Sequence, residues 1–414
     1  MTGGDTLKWF NKNRKIKNDM SKRYADFIKG EDIDGSLSLS GIYVSEENSI
    51  TVSGVFACVR VIAEDIASLP LALYKRLPRG KEKAVDHPLY YLIHDSPNEE
   101  MTAFAFKEAM MTNLLLWGNA YAQIIRNKHG QVVSLHPLLS SRMSVVKDQN
   151  YERVYLYTND KGATFTLKKD QVLHIGGIGF DGITGLSPIS VAREAIGLAK
   201  ATEVYGNKFF ANGARPGGVL EHPGTLKDPS KVRESWEAVY KGAHNSHKIA
   251  VLEEGMKYHE IGLPQKDAQF LETRQFQLNE ICRIFRVPPH LVGDLARSTF
   301  SNIEHQSIDY VVHTLRPWLV RLEQAFNLCL LNEYERKEYF TKFNVDGLLR
   351  GDFATRMNGY AIGRQNGWFS ANDIRELEDM NPIPEDQGGD LYLVNGNMVS
   401  AKNAAQNGGD ENNA

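Results

Sequence analysis

Three glycines, Gly177, Gly179 and Gly182, in "QVLHIGGIGFDGITGLSP" spell G-x-G-x-x-G after a short apolar, strand-like run. In dinucleotide folds the last glycine of that pattern lies inside the helix whose first N–H groups hold a pyrophosphate. Here the best helix start comes later, at Ser187-Pro188, a hydroxyl N-cap followed by proline at the first helical position. Asp181, Ile183, Thr184 and Gly185 are then surplus loop, and Asp181 places an acid where phosphate would approach. A dinucleotide unit also needs a strand ending in Asp or Glu about 20 residues on. Instead Ile189, Ala192, Ile196 and Ala199, then Tyr205, Phe209 and Phe210, carry one helix to about Asn212. The glycines read as a turn, and no cofactor is expected.

The other chemical patterns are incomplete. His244-Asn245-Ser246-His247 brings two imidazoles close but lacks the glutamate and further ligands of a zinc site, so it reads as a solvated loop. Gly185-Leu186-Ser187-Pro188-Ile189 misses the last glycine of a nucleophile elbow, and Ser187 already serves as a cap. The chain has no G-x-x-x-x-G-K-[ST], which excludes P-loop hydrolysis. The acid pairs Glu99-Glu100 and Glu253-Glu254 adjoin turns and read as solvent-exposed. No catalytic constellation assembles, so no enzyme and no metal are expected. Lys200, Lys208, Phe209 and Phe210 could line a nucleic-acid track, although a helix packing its aromatics on neighbours is the simpler reading. Arg274, Arg283 and Arg286 are balanced by Glu272 and Glu280, a pattern that joins neighbouring helices.

The elements that would carry these residues cluster by type. "VFACVRVIAEDIASLP" is a helix with apolar Val55, Val59, Ile62 and Ile66 that stops at Pro70, and strand-like "PLALYKRL" follows. Short and longer helices are predicted at "PLYYLIH" and from Thr102 to Trp117. The period then changes to two through "AYAQIIRN", "QVVSLHPL", "RMSVVKD", "RVYLYTN" and "TFTLKKD", with turns at Lys128-His129-Gly130 and Asp160-Lys161-Gly162. Clustered strands predict an antiparallel module in an α+β fold. Beyond the helix from Pro188, a helix around Pro229 to Ala243 and a hairpin about Glu254-Gly255 form a small segment, Arg215 to Gly262. A second long helix runs from near Asp267 to Pro288-Pro289. A third is opened by the capping box Ser301-x-x-Glu304, reaches about Leu331, and should kink at Pro317.

With 414 residues, 42% of them hydrophobic, the chain can form two or three domains with a substantial core. A net charge of −3 argues against gripping nucleic acid through many phosphates but not against surrounding it. Cys58, Cys282 and Cys329 are far apart in apolar helical contexts and read as buried small hydrophobes, with no disulfide framework, which suits a reducing cytosol. The most apolar stretch, Met110 to Ile125, is too short and too polar to span a bilayer. The basic N-terminal stretch lacks the apolar run of a secretory signal, and the polar C-terminus cannot stay ordered alone.

The order of elements and seven stretches resemble the phage portal protein family, the head-to-tail connectors of tailed bacteriophages, of the long-tailed type. They are "SITVSGVFACVRVIAEDIASLPLALYK", "HPLYYLIHDSPNEEMTAFAFKEAMMTNLLLWGNAYAQI", "HIGGIGFDGITGLSPISVAREAI", "FFANGARPGGVL", "FRVPPHLVGD", "STFSNIEHQS" and "GWFSANDIRELEDMNPIPEDQGGD". Together they sample most of the chain from Ser49 to Asp390. The resemblance implies an α+β portal fold in a ring: a β-rich wing, long stem helices, a small α/β clip and a short helical crown. On this chain it implies a basic arm at 1–45 and wing at 46–186. Stem helices would lie at 187–213 and 264–290, with the clip at 214–263 between them. A tunnel-loop region would span 291–302, a kinked wing helix 303–342, wing end and crown 343–390, and a disordered tail 391–414.

The implied function is a ring, dodecameric in virions, at one capsid vertex, where it nucleates head assembly and passes double-stranded DNA inward and later outward. The implied partners are further copies of the chain, duplex DNA without sequence specificity, the terminase large subunit, a head-completion or neck adaptor protein, and the major capsid protein with its scaffold. No membrane partner is implied. The location is the virion, after synthesis in the host bacterial cytoplasm. Tunnel-loop candidates facing DNA are Asp294, Leu295, Arg297, Ser298 and Thr299. Stem candidates are Lys200, Lys208, Arg274 and Arg283, and clip candidates for terminase contact are Lys227, Lys231, Arg233 and Lys241. Two rivals stay open: a nucleotide-binding enzyme using Gly177, Gly179 and Gly182, and a non-portal scaffold or adaptor without a DNA channel.

Overall fold

The computed structural model describes residues 37–211, 218–225, 228–232, 234, 252, 255–260, 267–295, 306–345, 353–378 and 380–393. The chain divides into two compact units, Met1–Asn344 and Val345–Ala414.

The first unit is organised around two helices, α1 (Ser53–Ser68) and α3 (Ala103–Trp117), with the short α2 (Pro88–His94) before α3. Val55, Cys58, Val59, Ile62 and Ile66 recur every three or four residues along α1, and all are buried. Phe106, Met110, Met111 and Leu114 of α3 are buried as well. Thr102 caps α3 by accepting from Ala105 N, and Gly118 ends it in the left-handed region at φ 71. Lys107 is a buried cation inside this core. Its Nζ donates to Leu69 O at 2.5 Å, satisfying a carbonyl at the end of α1, and burial lowers its pKa to about 8.

β1 (Leu71–Arg76) follows α1 and pairs with β2 (Lys81–Lys83). On its other side it pairs with the last strand of the unit, β11 (Tyr339–Phe343), antiparallel with Leu71 opposite Phe343. The expected antiparallel β module consists of two three-stranded sheets. β3 (Asn119–Arg126) lies between β4 (Val132–Leu138) and β8 (Val172–Gly176), while β5 (Met143–Lys147), β6 (Arg153–Thr158) and β7 (Thr164–Lys168) form a separate meander. The reason is local: the 3-10 turn Ser140–Arg142 redirects the chain between β4 and β5, and Ser140 is anchored through its hydroxyl to Asn119 O at 2.7 Å. Tyr121, Tyr155 and Val172 form a shared apolar core that joins the sheets. The predicted turns are present, with Gly130 and Gly162 at φ 80 and 77.

The predicted helix from Pro188 is divided. Ser187 caps a short α4 (Pro188–Val191) by accepting from Ser190 N, and α5 (Arg193–Ala211) follows after Ala192, which sits at φ −97, ψ 18. The two pieces are held by different partners. Ser190 Oγ donates to Glu46 Oε1 at 2.9 Å, whereas Glu194 Oε2 accepts from Leu39 N at 2.9 Å. The strand expected beside Gly255 is β10 (Lys257–Glu260), and its described partner is β9 (Gly218–Glu221), with Lys257 opposite Glu221; most of the other arm of the predicted hairpin lies outside the described residues. Of the helix predicted around Pro229 to Ala243, residues 229–232 and 234 are helical and the others lie outside the described residues.

α6 (Asp267–Phe285) ends as predicted before Pro288-Pro289, with Arg286 at φ 57. The capping box at Ser301 and Glu304 lies outside the described residues. The kink expected at Pro317 takes the form of a π-helical segment, Tyr310–Leu315, leading into α7 (Arg316–Leu330). Proline has no N–H to continue the α-ladder, and the wider turn absorbs that loss. Tyr310 fixes the segment by donating to Asp65 Oδ2 of α1 at 2.8 Å. In the second unit, α8 (Phe353–Gln365) and α9 (Ala371–Leu377) are linked by Arg356 and Tyr360, which reach Glu378 at 2.7 and 2.9 Å.

Candidate assembly and channel elements

The opening glycines are used for backbone against backbone. A Cβ on Gly179 would lie 2.0 Å from Thr184 O, one on Gly177 2.9 Å from Gly118 O, and one on Gly185 2.0 Å from Gly118 O. Gly182 has open space around it but sits at φ +69, which a glycine adopts without strain. Asp181 Oδ1 accepts from Ile183 N and Thr184 N at 2.8 Å, so the acid shapes the turn. Leu186 N donates to Ile178 O at 2.7 Å and Gly177 N to Gly118 O at 2.8 Å. Arg321 of α7 adds bonds to Gly176 O and Gly177 O at 3.0 and 2.9 Å. A phosphate cradle needs N–H groups turned outward with room above them. This loop turns carbonyls towards an arginine and fills its own interior.

A polar network locks the loop to the sheet. Asn119 Oδ1 accepts from Gly185 N at 2.8 Å and its Nδ2 donates to Gly185 O at 2.7 Å. Because that oxygen is an acceptor, the contact at 3.1 Å from His174 Nε2 is a donation from the imidazole, and Nδ1 is left to accept from Tyr155 OH at 3.3 Å. The ring stacks on Tyr121 with centroids 4.5 Å apart. Burial, with nearby Arg153, lowers the His174 pKa to about 3, so the ring is neutral at physiological pH.

The stem candidates lie on two packed helices. Lys200 and Lys208 are on α5, Arg274 and Arg283 on α6. Gly206 of α5 lets Phe270 of α6 approach, since a Cβ there would be 2.6 Å from the ring. Lys208 and Arg274 are exposed and Lys200 is half-buried. Arg283 pairs with Glu280. Asp294 is tied to α6: its two carboxylate oxygens each accept from Gln275 Nε2 at 3.0 Å. Leu295, beside it, is 62% exposed. Arg297, Ser298 and Thr299 lie outside the described residues, as do Lys227, Arg233 and Lys241. Lys231 is exposed, 3.8 Å from Asp228.

Two features escaped the sequence reading. Cys58 of α1 and Cys282 of α6, 224 positions apart by number, meet as a thiol pair, and the contact together with burial pushes the Cys58 thiol up, keeping it protonated. Cys329 is half-buried, not fully buried, and likewise shifted up by burial. The second feature is Gln277, buried on α6; a glutamine in a mixed-charge helix carries no signal of which face it occupies. Among the described residues no group of His, Cys, Asp or Glu could hold a metal ion, and no helix is long and apolar enough to cross a membrane.

The family model described as "Phage portal protein" matches residues 53–379, which spans the sheets, α5, α6, α7, β11, α8 and α9. The chain belongs to the phage portal protein family. It is 40% identical over 370 residues to a probable portal protein of Streptomyces phage phiC31, covering 86% of this chain and 80% of that one. It is 36% identical over 378 residues to the portal protein of Enterobacteria phage HK97, covering 89% of this chain and 88% of that one. Among solved structures it resembles a chain in the neck of a native gene transfer agent particle computed with C12 symmetry. There the TM-score is 0.54 at 25% identity, over 81% of this chain and 93% of that chain. The portal fold and portal function expected from the seven stretches are thereby established, and the glycine loop is the turn between β8 and α4.

Proposed function

We propose that the protein assembles into a closed ring at one vertex of a phage capsid, through which double-stranded DNA enters and leaves. The observation that carries this is the family match across residues 53–379, supported by the C12 symmetry of the neck to which the fold is similar. Its role is structural and mechanical: the packed glycine turn leaves no nucleotide cradle, so energy for DNA movement comes from a separate terminase large subunit. In this reading α5 and α6 are the stem, and the segment between them, with Lys227, Lys231, Arg233 and Lys241, is the clip that meets terminase and later a neck adaptor. Asp294, Leu295, Arg297, Ser298 and Thr299 belong to the tunnel loop. The wing, built on α1, α3 and the sheets, faces the major capsid protein and scaffold during head assembly.

Net charge supports a conduit. A protein making about 6 to 10 phosphate contacts is held firmly and salt-sensitively. A chain of net charge −3 is poorly suited to such a grip and better suited to letting duplex slide. Native mass spectrometry with negative-stain microscopy tests the reading. Twelve chains of 46.5 kDa give particles of about 560 kDa with a central hole wide enough for duplex DNA. Open polymers, or a species that stays monomeric at high concentration and also in the presence of scaffold and capsid protein, would reject it.

A further inference from the structure

We infer that Cys58 and Cys282 form a dithiol that reacts with hydroperoxides, Cys282 being oxidised first and Cys58 then closing a disulfide that ties α1 to α6. The pair lies within one chain, so its chemistry does not depend on ring formation.

A buried cysteine is ordinarily an inert small hydrophobe, and three features set this pair apart. First, the helices that carry it are in close contact. Gly54 admits α6 to the side of α1: a Cβ there would lie 3.0 Å from Leu278 Cδ1 and 3.3 Å from Ile281 Cδ1. Cys58 and Cys282 stand one helical turn beyond Gly54 and Leu278 on their respective helices. There the thiols meet, Cys58 donating its S–H to Cys282. Second, the two differ in access. Both are buried, but Cys282 lines a cavity of about 1610 Å³ that opens between α5, α6 and the π-helical segment, and Cys58 does not. Third, they differ in charge. The bond from Cys58 favours the thiolate on Cys282 and outweighs burial and the Asp294 carboxylate, whereas the same contact and burial keep Cys58 protonated. Arg283 and Arg286 line the cavity beside Cys282.

A stabilised thiolate facing a cavity, with a protonated thiol behind it, is the arrangement of an oxidisable pair with a resolving cysteine. In the first step the Cys282 thiolate attacks hydrogen peroxide. An S–O bond forms, the O–O bond breaks, and hydroxide leaves, taking a proton to become water; sulfur is oxidised and the peroxide reduced. In the second step the Cys58 sulfur attacks the sulfenic acid on Cys282. The S–S bond forms, the S–O bond breaks, and the hydroxyl departs as water with the Cys58 proton. Two thiols and one peroxide thus give one disulfide and two waters. Glutathione keeps such pairs reduced in the cytosol, and a virion protein passes out of that compartment. The disulfide joins positions 224 apart by number, so it stabilises chiefly by restricting the unfolded chain. Cys329, the third cysteine, is shifted up by burial and has no thiol left to pair with, so it serves as an internal control.

The test exposes the folded full chain to dilute hydrogen peroxide, alkylates the remaining thiols under denaturing conditions, and maps the cysteines by mass spectrometry without reduction. The expected product is a peptide pair joined through Cys58 and Cys282, with Cys329 alkylated. Its melting temperature should rise by about 5 °C or more over the reduced chain. Cys58→Ser should leave Cys282 as a sulfenic acid that a cyclic 1,3-diketone traps, whereas Cys282→Ser should leave Cys58 reduced at the same peroxide dose. That asymmetry separates a reacting pair from two buried thiols of equal standing. If either variant fails to fold, wild-type rates decide: the Cys282 thiol should disappear about 10-fold faster than that of Cys329. Full alkylation of Cys58 and Cys282 after peroxide, or a joined peptide found only when oxidation follows unfolding, would overturn the inference. So would diketone label on Cys58 in place of Cys282, or disulfides formed through Cys329.

Discussion

His174 shows how one residue couples the sheet to the glycine turn. Its imidazole is neutral because burial, with Arg153 nearby, disfavours the charged ring, while Asn119 and Tyr155 hold its two nitrogens. Its folded pKa of about 3 lies below the ordinary value of 6.5, so the unfolded chain takes up a proton that the folded chain refuses. Above pH 6.5 the group contributes no pH dependence; as pH falls from there towards 3, stability is lost. At pH 5 this amounts to about 1 to 2 kcal/mol relative to pH 8. Urea denaturation at the two pH values should show that loss in wild type. His174→Gln should shrink it, because the amide can still donate to Asn119 but does not titrate. An unchanged difference in the variant would assign the acid sensitivity to other groups. The same site explains what the glycines could and could not disclose. Their spacing announces a turn, but their reason is contact with Gly118 and Thr184, and Gly118 lies more than fifty positions upstream.

Helix α5 makes the equivalent point for an element. Gly197 sits inside it, where a glycine ordinarily weakens a helix by about 1 kcal/mol relative to alanine. It is retained for space: a Cβ would lie 2.4 Å from Ser38 Oγ and 2.5 Å from Ser38 Cβ. The turn Ser38 to Ile42 therefore rests on this helix, and Leu39 N donates to Glu194 Oε2 beside it. Gly197→Ala should leave α5 intact, since alanine favours helix, and should displace the turn. Hydrogen exchange at Leu39 and Ile42 should then accelerate by about 10-fold or more, with global stability changed by less than about 1 kcal/mol. Loss of global stability without faster exchange there would show that the turn is not what Gly197 accommodates. Elements were legible where local pattern decides them: the apolar period of α1, the Thr102 cap, and the turns at Gly130 and Gly162. The division of the helix at Ala192, the partner of β10 and the meeting of Cys58 with Cys282 were not. Each is set by a residue from a distant part of the chain, and periodicity carries no record of that.

At the scale of the whole molecule, the proposed conduit raises the question of which part would touch DNA. The described backbone reaches the candidate loop through Asp294, tied to Gln275 on α6, and Leu295, which is 62% exposed. The loop candidates carry two charges of opposite sign, Asp294 and Arg297. Under the proposed assignment, with Asp294 bonded to α6, such a loop offers a duplex little electrostatic hold, and its expected contribution is steric resistance to the return of the DNA. Removing Ala296 to Thr299 should accordingly leave ring mass and thermal stability unchanged, because nothing in α1, the sheets or the stem packing is altered. Heads carrying the shortened portal should package less DNA or lose it after filling, measured as protected genome length per particle. Weak retention that persists across salt concentrations would mark a steric role, since an electrostatic clamp weakens steeply as salt rises. Heads that fill and hold full-length genomes with the deletion in place would reject the tunnel-loop assignment, and the search for the DNA-facing surface would then move to Lys200 and Lys208 on α5.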